Sequence, residues 1–248
     1  LSLDQADEMD ILEANGSVNF GSNKAYRAML KKIKAGSPAT NPDDLQYILD
    51  NVDVDNLFEY MALEMFVGNS DIGNIRYYRL HQEGSKWKWI WYDADYGLYS
   101  SKFNSPWSYL KAKGMGEQKI DNTIFLKLLE HPDYKRKFLE KLADVYKTFT
   151  TEYMTQVLDG VVAEIQPEMK NHWERWGELN DKAVTSEVPT TIDGAYTYWE
   201  SRVNRLYNTL KVRPHRLWDF IKDEFKLTKA EMEELFGPQP DYPDDAVL

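Results

Sequence analysis

The sequence contains no cysteine. That excludes a disulfide framework, a thiolate nucleophile and a cysteine zinc site, and it fits a secreted protein as well as a cytosolic one. Only four histidines occur, His81, His131, His172 and His215. They are scattered, with no H-E-x-x-H pair, so a zinc hydrolase is not indicated. No G-x-S-x-G elbow is present, and no apolar run approaches the length of a membrane span. Gly114 and Gly116 lack a third glycine and a preceding strand, which rules out a dinucleotide fingerprint there. Basic charge is also scarce, with 30 Lys and Arg against 41 Asp and Glu and a formal net charge of -11. Nucleic acid is therefore disfavoured as a partner, because counterion release requires clustered cations. The basic run at 135–137 lies in a helical pattern and reads as a solvated face. The first residue is Leu1 rather than Met, so the natural N-terminus, with any signal peptide, is expected upstream.

What is abundant is aromatic and helical. Aromatics make up 14% of the 248 residues, with 16 Tyr and 8 Trp. Residues 1–14 are acidic, with apolar positions at Leu3, Met9, Ile11 and Leu12 that suit a strand or a short helix, and Asn15-Gly16 marks a turn. Helical spacing follows over 23–35. Asn41-Pro42-Asp43-Asp44 then opens a second helix, with Asn41 as cap and Pro42 at its first position. A third is expected from Asp55, so apolar around its circumference that it belongs in a core. Residues 98–121 read as a long exposed loop. Helices resume over 124–129, 134–149, 152–176 with a break at Pro167, and 196–210. Pro214 is expected to open another helix over 217–225, and Thr228 with Glu231 forms a capping box for the last. The expected fold class is mainly α with a small β-hairpin (α+β).

The hairpin lies in the stretch GNSDIGNIRYYRLHQEGSKWKWIWYDADYG, residues 68–97. Residues 75–80 and 86–92 are strand-like and flank turn material at 83–85, so they read as antiparallel. Asp71 and Asn74 precede the first strand, while Asp93 and Asp95 follow the second; a hairpin brings these ends together. Trp87, Trp89 and Trp91 share one strand face, as do Asp93 and Asp95 if the extended conformation continues. The tryptophans suit either core packing or a sugar-stacking platform, which leaves carbohydrate as a possible partner. Carboxylates without partners are costly away from water. Mg²⁺ gives them a reason, since it favours one or two carboxylates together with phosphates and water. The set therefore suits phosphoryl transfer, or else capped turns and a strand end. A glycosidase carboxylate pair depends on a separation that sequence does not supply.

Asn69-Ser70-Asp71, Asn74, the hairpin and Asp93-Ala94-Asp95-Tyr96-Gly97 resemble the CotH family of spore-coat kinase-like proteins. Val54-Asp55 and Arg213-Pro214 extend the likeness over most of the chain. The resemblance implies an atypical protein-kinase-like fold that uses ATP and a divalent cation such as Mg²⁺ to phosphorylate Ser or Thr of a protein substrate. It implies Asp71 as the catalytic aspartate, Asn69 and Asn74 as cofactor-binding, and Asn74, Asp93 and Asp95 as metal ligands. Either Asp93 or Asp95 corresponds to the aspartate that opens the metal-binding loop. The Asp71-to-Asn74 spacing is shorter than in many family members. No Gly-rich loop or strand lysine for the phosphates precedes Asp71. Residues 1–237 are thus expected to resemble the C-terminal lobe of a kinase, inactive or nearly so alone, with 238–248 a Pro-rich acidic tail or linker. A spore-coat or surface protein as substrate and a spore-coat, cell-surface or extracellular location are implied. The alternatives are a non-catalytic coat or surface scaffold and a carbohydrate-binding module.

Overall fold

A computed structural model describes residues 8–113, 119–183 and 188–244. Leu3, the Gly114 and Gly116 pair, and residues 245–248 of the tail lie outside the described residues. The described residues are mainly helical, with one small antiparallel sheet, as the pattern predicts. They divide into two compact units, Leu1–Thr148 with Arg216–Gln239, and Phe149–His215 with Pro240–Leu248.

The first unit opens with β1 (Met9–Glu13) and β2 (Ser17–Phe20), which turn at Asn15-Gly16. Gly16 sits there at φ +90°, a conformation that costs glycine little. Helices α1 (Lys24–Ala35), α2 (Pro42–Asn51) and α3 (Val54–Val67) follow. Asn41 caps α2 by accepting from the Asp43 N–H at 3.0 Å. The cap of α3 is Asp53, accepting from Asn56 N–H at 3.1 Å, so this helix starts one residue before the expected Asp55. Strands β3 (Arg76–Leu80) and β4 (Lys88–Ile90) form the expected antiparallel hairpin. The sheet order is β2-β1-β3-β4, so the hairpin is half of a four-stranded sheet. Leu12 and Tyr77 pair across β1 and β3, and both face the core.

An edge strand needs cover for its free backbone groups, and β4 takes it from the start of α3. Asn56 Oδ1 accepts from the Trp89 N–H at 2.6 Å, while its Nδ2 donates to the Trp89 carbonyl at 3.2 Å. The amide side chain thus takes the place of a fifth strand. Replacing Asn56 with Ala strands two part-buried peptide groups and is expected to cost about 1–3 kcal/mol. Asn56→Asp keeps only the acceptor and should fall between, measured by urea denaturation.

Trp87 and Trp89 are buried with Tyr26 and Tyr77; the Tyr26–Tyr77 and Tyr77–Trp89 ring centroids lie 4.6 and 5.7 Å apart. Trp91 falls beyond the strand and is exposed, so the three rings do not form an open platform. Beyond the hairpin, the expected loop at 98–121 contains α4 (Ser105–Lys111), in which Ser105, Ser108 and Tyr109 are buried. Serine composition suggests exposure, but these hydroxyls are satisfied by backbone carbonyls: Ser105 Oγ donates to the Met65 carbonyl at 2.5 Å and Ser108 Oγ to the Lys113 carbonyl. Helices α5 (Thr123–Leu129) and α6 (Pro132–Thr148) complete the core against α3. Phe138 of α6 lies at its centre, with Phe125, Phe58 and Phe225 rings 4.8, 5.4 and 5.8 Å away. The basic run at 135–137 is occupied on the surface, Arg136 by Glu140 and Glu234, and Lys137 by Asp55.

The second unit holds α7 (Thr151–Ile165), a 3₁₀ turn at Gln166–Glu168, α8 (Met169–Ala183) and most of α9 (Ile192–Phe225). The expected break at Pro214 does not occur, because Pro214 lies inside the 34-residue α9. Proline removes the N–H that would bond the carbonyl four residues earlier, that of Leu210. Thr151 Oγ1 donates to that carbonyl at 3.2 Å. Helix α10 (Lys229–Phe236) belongs to the first unit and has the expected capping box at Thr228 and Glu231. Residues 238–244 are irregular; His215 Nδ1 lies 2.7 Å from the Pro240 carbonyl. No helix among the described residues is long and apolar enough to cross a membrane.

Candidate active site

Helix α3 ends at Gly68, which adopts φ +65° and donates its N–H to the Glu64 carbonyl at 3.0 Å. That left-handed residue turns the chain across the helix end and sets up Asn69-Ser70-Asp71. Asn69 is buried, and its Oδ1 accepts from the Asp71 N–H at 3.1 Å, an Asx turn that orients the aspartate. The Asp71 carbonyl in turn accepts from the Asn74 N–H at 3.2 Å. Asp71 itself is half-buried. Ser70 Oγ is buried without a hydrogen-bond partner.

The other end of the hairpin returns to this turn. Asn74 Nδ2 donates to the Asp93 carboxylate, and the Tyr92 hydroxyl donates to Asn74 Oδ1. The Arg76 guanidinium lies over the Tyr92 ring, 4.7 Å from its centroid. Burial pushes the Tyr92 phenol up, Arg76 opposes this, and Asp93, Glu13 and Asp71 add to it.

Asp95 takes no part in these hydrogen bonds. Strand β4 stops at Ile90 and Asp93 adopts φ +52°, so the extended conformation that would align Asp93 and Asp95 on one face does not continue. Asp95 is exposed in the next turn. Gly97 then passes close to α3, where a Cβ would meet the Ala94 carbonyl at 2.8 Å and Val67 Cγ2 at 3.1 Å. The Leu98 N–H donates to the Val67 carbonyl at 2.6 Å. Both loops are thus anchored on the last turn of the same helix.

The sequence matches the family model for CotH kinase protein over residues 4–217. The chain belongs to the CotH kinase family. No curated protein and no solved structure gave a match. In this CotH-family chain the hairpin brings Asp93 to Asn74 beside the Asp71 turn, and Asp95 makes no hydrogen bond to them. Asn74 Oδ1 and the Asp93 carboxylate are hard oxygen donors, and Asn74 Oδ1 keeps a second lone pair beside the one Tyr92 uses. No group of three or more His, Cys, Asp or Glu able to hold a metal occurs among the described residues. Two protein donors fit a magnesium ion that shares its shell with phosphates and water. The donor set therefore fits in kind a cation delivered with a nucleotide.

Sequence reading missed Glu64. It lies on α3 among apolar residues, is buried, and accepts from the Tyr109 hydroxyl at 2.7 Å. Burial raises the Glu64 pKa; Tyr109, Asn69 and Trp91 oppose this, and Asp71 adds to the rise. A raised folded pKa makes the folded state hold the proton more tightly than the unfolded state. The stabilisation is full below the ordinary value of 4.5 and is lost as pH rises through the folded value. The stability difference between the unsubstituted chain and Glu64→Gln is therefore expected to fall as pH rises from about 4.5. Urea midpoints across that window measure it.

Proposed function

We propose that this chain forms the metal- and nucleotide-binding part of a protein kinase that transfers the γ-phosphoryl group of ATP to Ser or Thr of a protein. The observation that carries the reading is the return of Asp93 to Asn74 beside the Asp71 turn, within a CotH-family chain. Asp71 orients the acceptor hydroxyl and takes its proton as the bond to phosphorus forms. Its carboxylate is positioned for this by the Asn69 turn at its own N–H. Asn74 and Asp93 would hold Mg²⁺, with exposed Asp95 available to the outer part of the site. When bound, the cation supplies neutralisation of charge on the transferring phosphate. Tyr92 fixes the Asn74 amide, and Arg76 supplies positive charge next to an otherwise acidic set.

The proposal extends, through the family resemblance, to a spore-coat or surface protein as substrate and to an extracellular, cell-surface or spore-coat location. Its test is transfer of radiolabelled γ-phosphate from ATP to protein by the intact protein, with and without Mg²⁺. Metal-dependent labelling of Ser or Thr is expected. Equal labelling by an Asp71→Ala variant would remove the reading.

A further inference from the structure

We propose that Arg76 is the residue of this site that takes the phosphates of the nucleotide. The strand register puts it there. Arg76 of β3 pairs with Ile90 of β4, and the same register carried outward sets Asn74 opposite Tyr92, whose hydroxyl donates to Asn74 Oδ1. Ile75 and Tyr77 are buried in the core, so Asn74 and Arg76, alternating with them, lie together on the other face. The guanidinium rests over the Tyr92 ring, 4.7 Å from its centroid, and Asn74 Nδ2 donates to Asp93. One face of the hairpin therefore carries the proposed cation ligand Asn74, the tyrosine that fixes it and an arginine stacked on that tyrosine.

Charge argues for the same role. Residues 68–75 and 91–98 contain Asp71, Asp93 and Asp95 and no Lys or Arg. Mg²⁺ neutralises only part of a triphosphate, and the carboxylates repel what remains. The hairpin strands supply three cations, Arg76, Arg79 and Lys88. Lys88 Nζ lies 3.3 Å from Asp53. Arg79 lies over the Trp87 ring, with buried Asp10 at 3.8 Å. Arg76 is the least engaged: its cross-strand neighbour Glu13 approaches Nε only to 3.7 Å, and Nε has no hydrogen-bond partner. The two side chains are 41% and 40% exposed, and an exposed pair at that distance contributes little to stability. Arg76 can thus exchange Glu13 for a phosphate at little cost to the fold. A planar guanidinium held on an aromatic ring presents a fork of donors that matches phosphate oxygens.

The identity of the ligand rests on the phosphoryl-transfer reading, and the role of Arg76 is tested by binding. Isothermal titration calorimetry of the intact protein with ATP and with adenosine, both in Mg²⁺, compares the unsubstituted protein with Arg76→Gln, Arg76→Lys and Glu13→Gln. Arg76→Gln is expected to weaken ATP about tenfold or more, the scale of a hydrogen bond to a charged group, and to change adenosine by less than about twofold. Lysine keeps the charge without the planar fork, so Arg76→Lys should fall between. Glu13→Gln removes the resting ion pair and leaves Arg76 free, so ATP should bind at least as tightly as before.

Unchanged ATP affinity in Arg76→Gln, or an equal loss for adenosine, overturns the proposal. So does the same loss in Glu13→Gln, because the pair would then serve only the sheet. If Arg76→Gln does not fold, Arg76→Lys decides, and ATP affinity equal to that of the unsubstituted protein overturns the assignment. The wider reading fails separately. An unsubstituted protein that binds ATP but transfers no phosphate overturns the kinase reading and leaves the Arg76 comparison standing, whereas one that binds no ATP overturns both.

Discussion

Replacing Asp71 with Ala is expected to lower phosphoryl transfer by about 10²–10⁴-fold, the range set by loss of a positioned general base. The Asx turn at Asn69 survives, because its bond is to the Asp71 backbone N–H and not to the carboxylate. Affinity for ATP should therefore change little, and the loss should fall on kcat. Asp93→Ala contrasts with it. That change removes the acceptor of the Asn74 amide and a proposed cation ligand together, so the concentration of Mg²⁺ needed for half-maximal rate should rise. Steady-state kinetics at varied Mg²⁺ and ATP separates the two. If Asp71→Ala raises the Mg²⁺ requirement and Asp93→Ala leaves it unchanged, the assigned roles are reversed.

The second large effect is on stability. Phe138 is fully buried, with three aromatic rings around it contributed by α3, α5 and the end of α9. Phe138→Ala removes the ring and leaves a cavity that helices cannot readily close, at an expected cost of about 3–5 kcal/mol. Thermal or urea unfolding of the first unit should move accordingly. Val157 on α7 is the matched control, being 46% exposed. Val157→Ser should stay within about 0.5 kcal/mol. Comparable losses at the two positions would mean that the aromatic cluster is not the centre of the core.

Local rules read much of this protein correctly, and the failures share a cause. Asn41-Pro42 and Thr228 with Glu231 announce their helices because caps act within three residues. The β3–β4 hairpin is legible because alternation and a nearby turn encode it. Pro214 is different. Whether a proline ends a helix depends on the fate of one carbonyl, and Thr151, far off in sequence, takes that of Leu210. Ser105 and Ser108 read as loop because hydroxyls usually face water, and nothing local shows that backbone carbonyls await them.

The site divides along the same line. Composition and motif spacing were enough to single out Asp71, Asn74, Asp93 and Asp95, without choosing between the last two, to place them at the ends of a hairpin and to suggest the family. Tertiary structure decided the rest: Asp93 turns left-handed and meets Asn74, Trp87 and Trp89 go to the core, and Glu64 is buried against the Tyr109 hydroxyl. Spacing along a chain sets local conformation within a few residues. The bond from Tyr109 to Glu64 joins residues 45 apart, and a partner at that distance leaves no periodic trace in either segment until the helix and the loop are packed together.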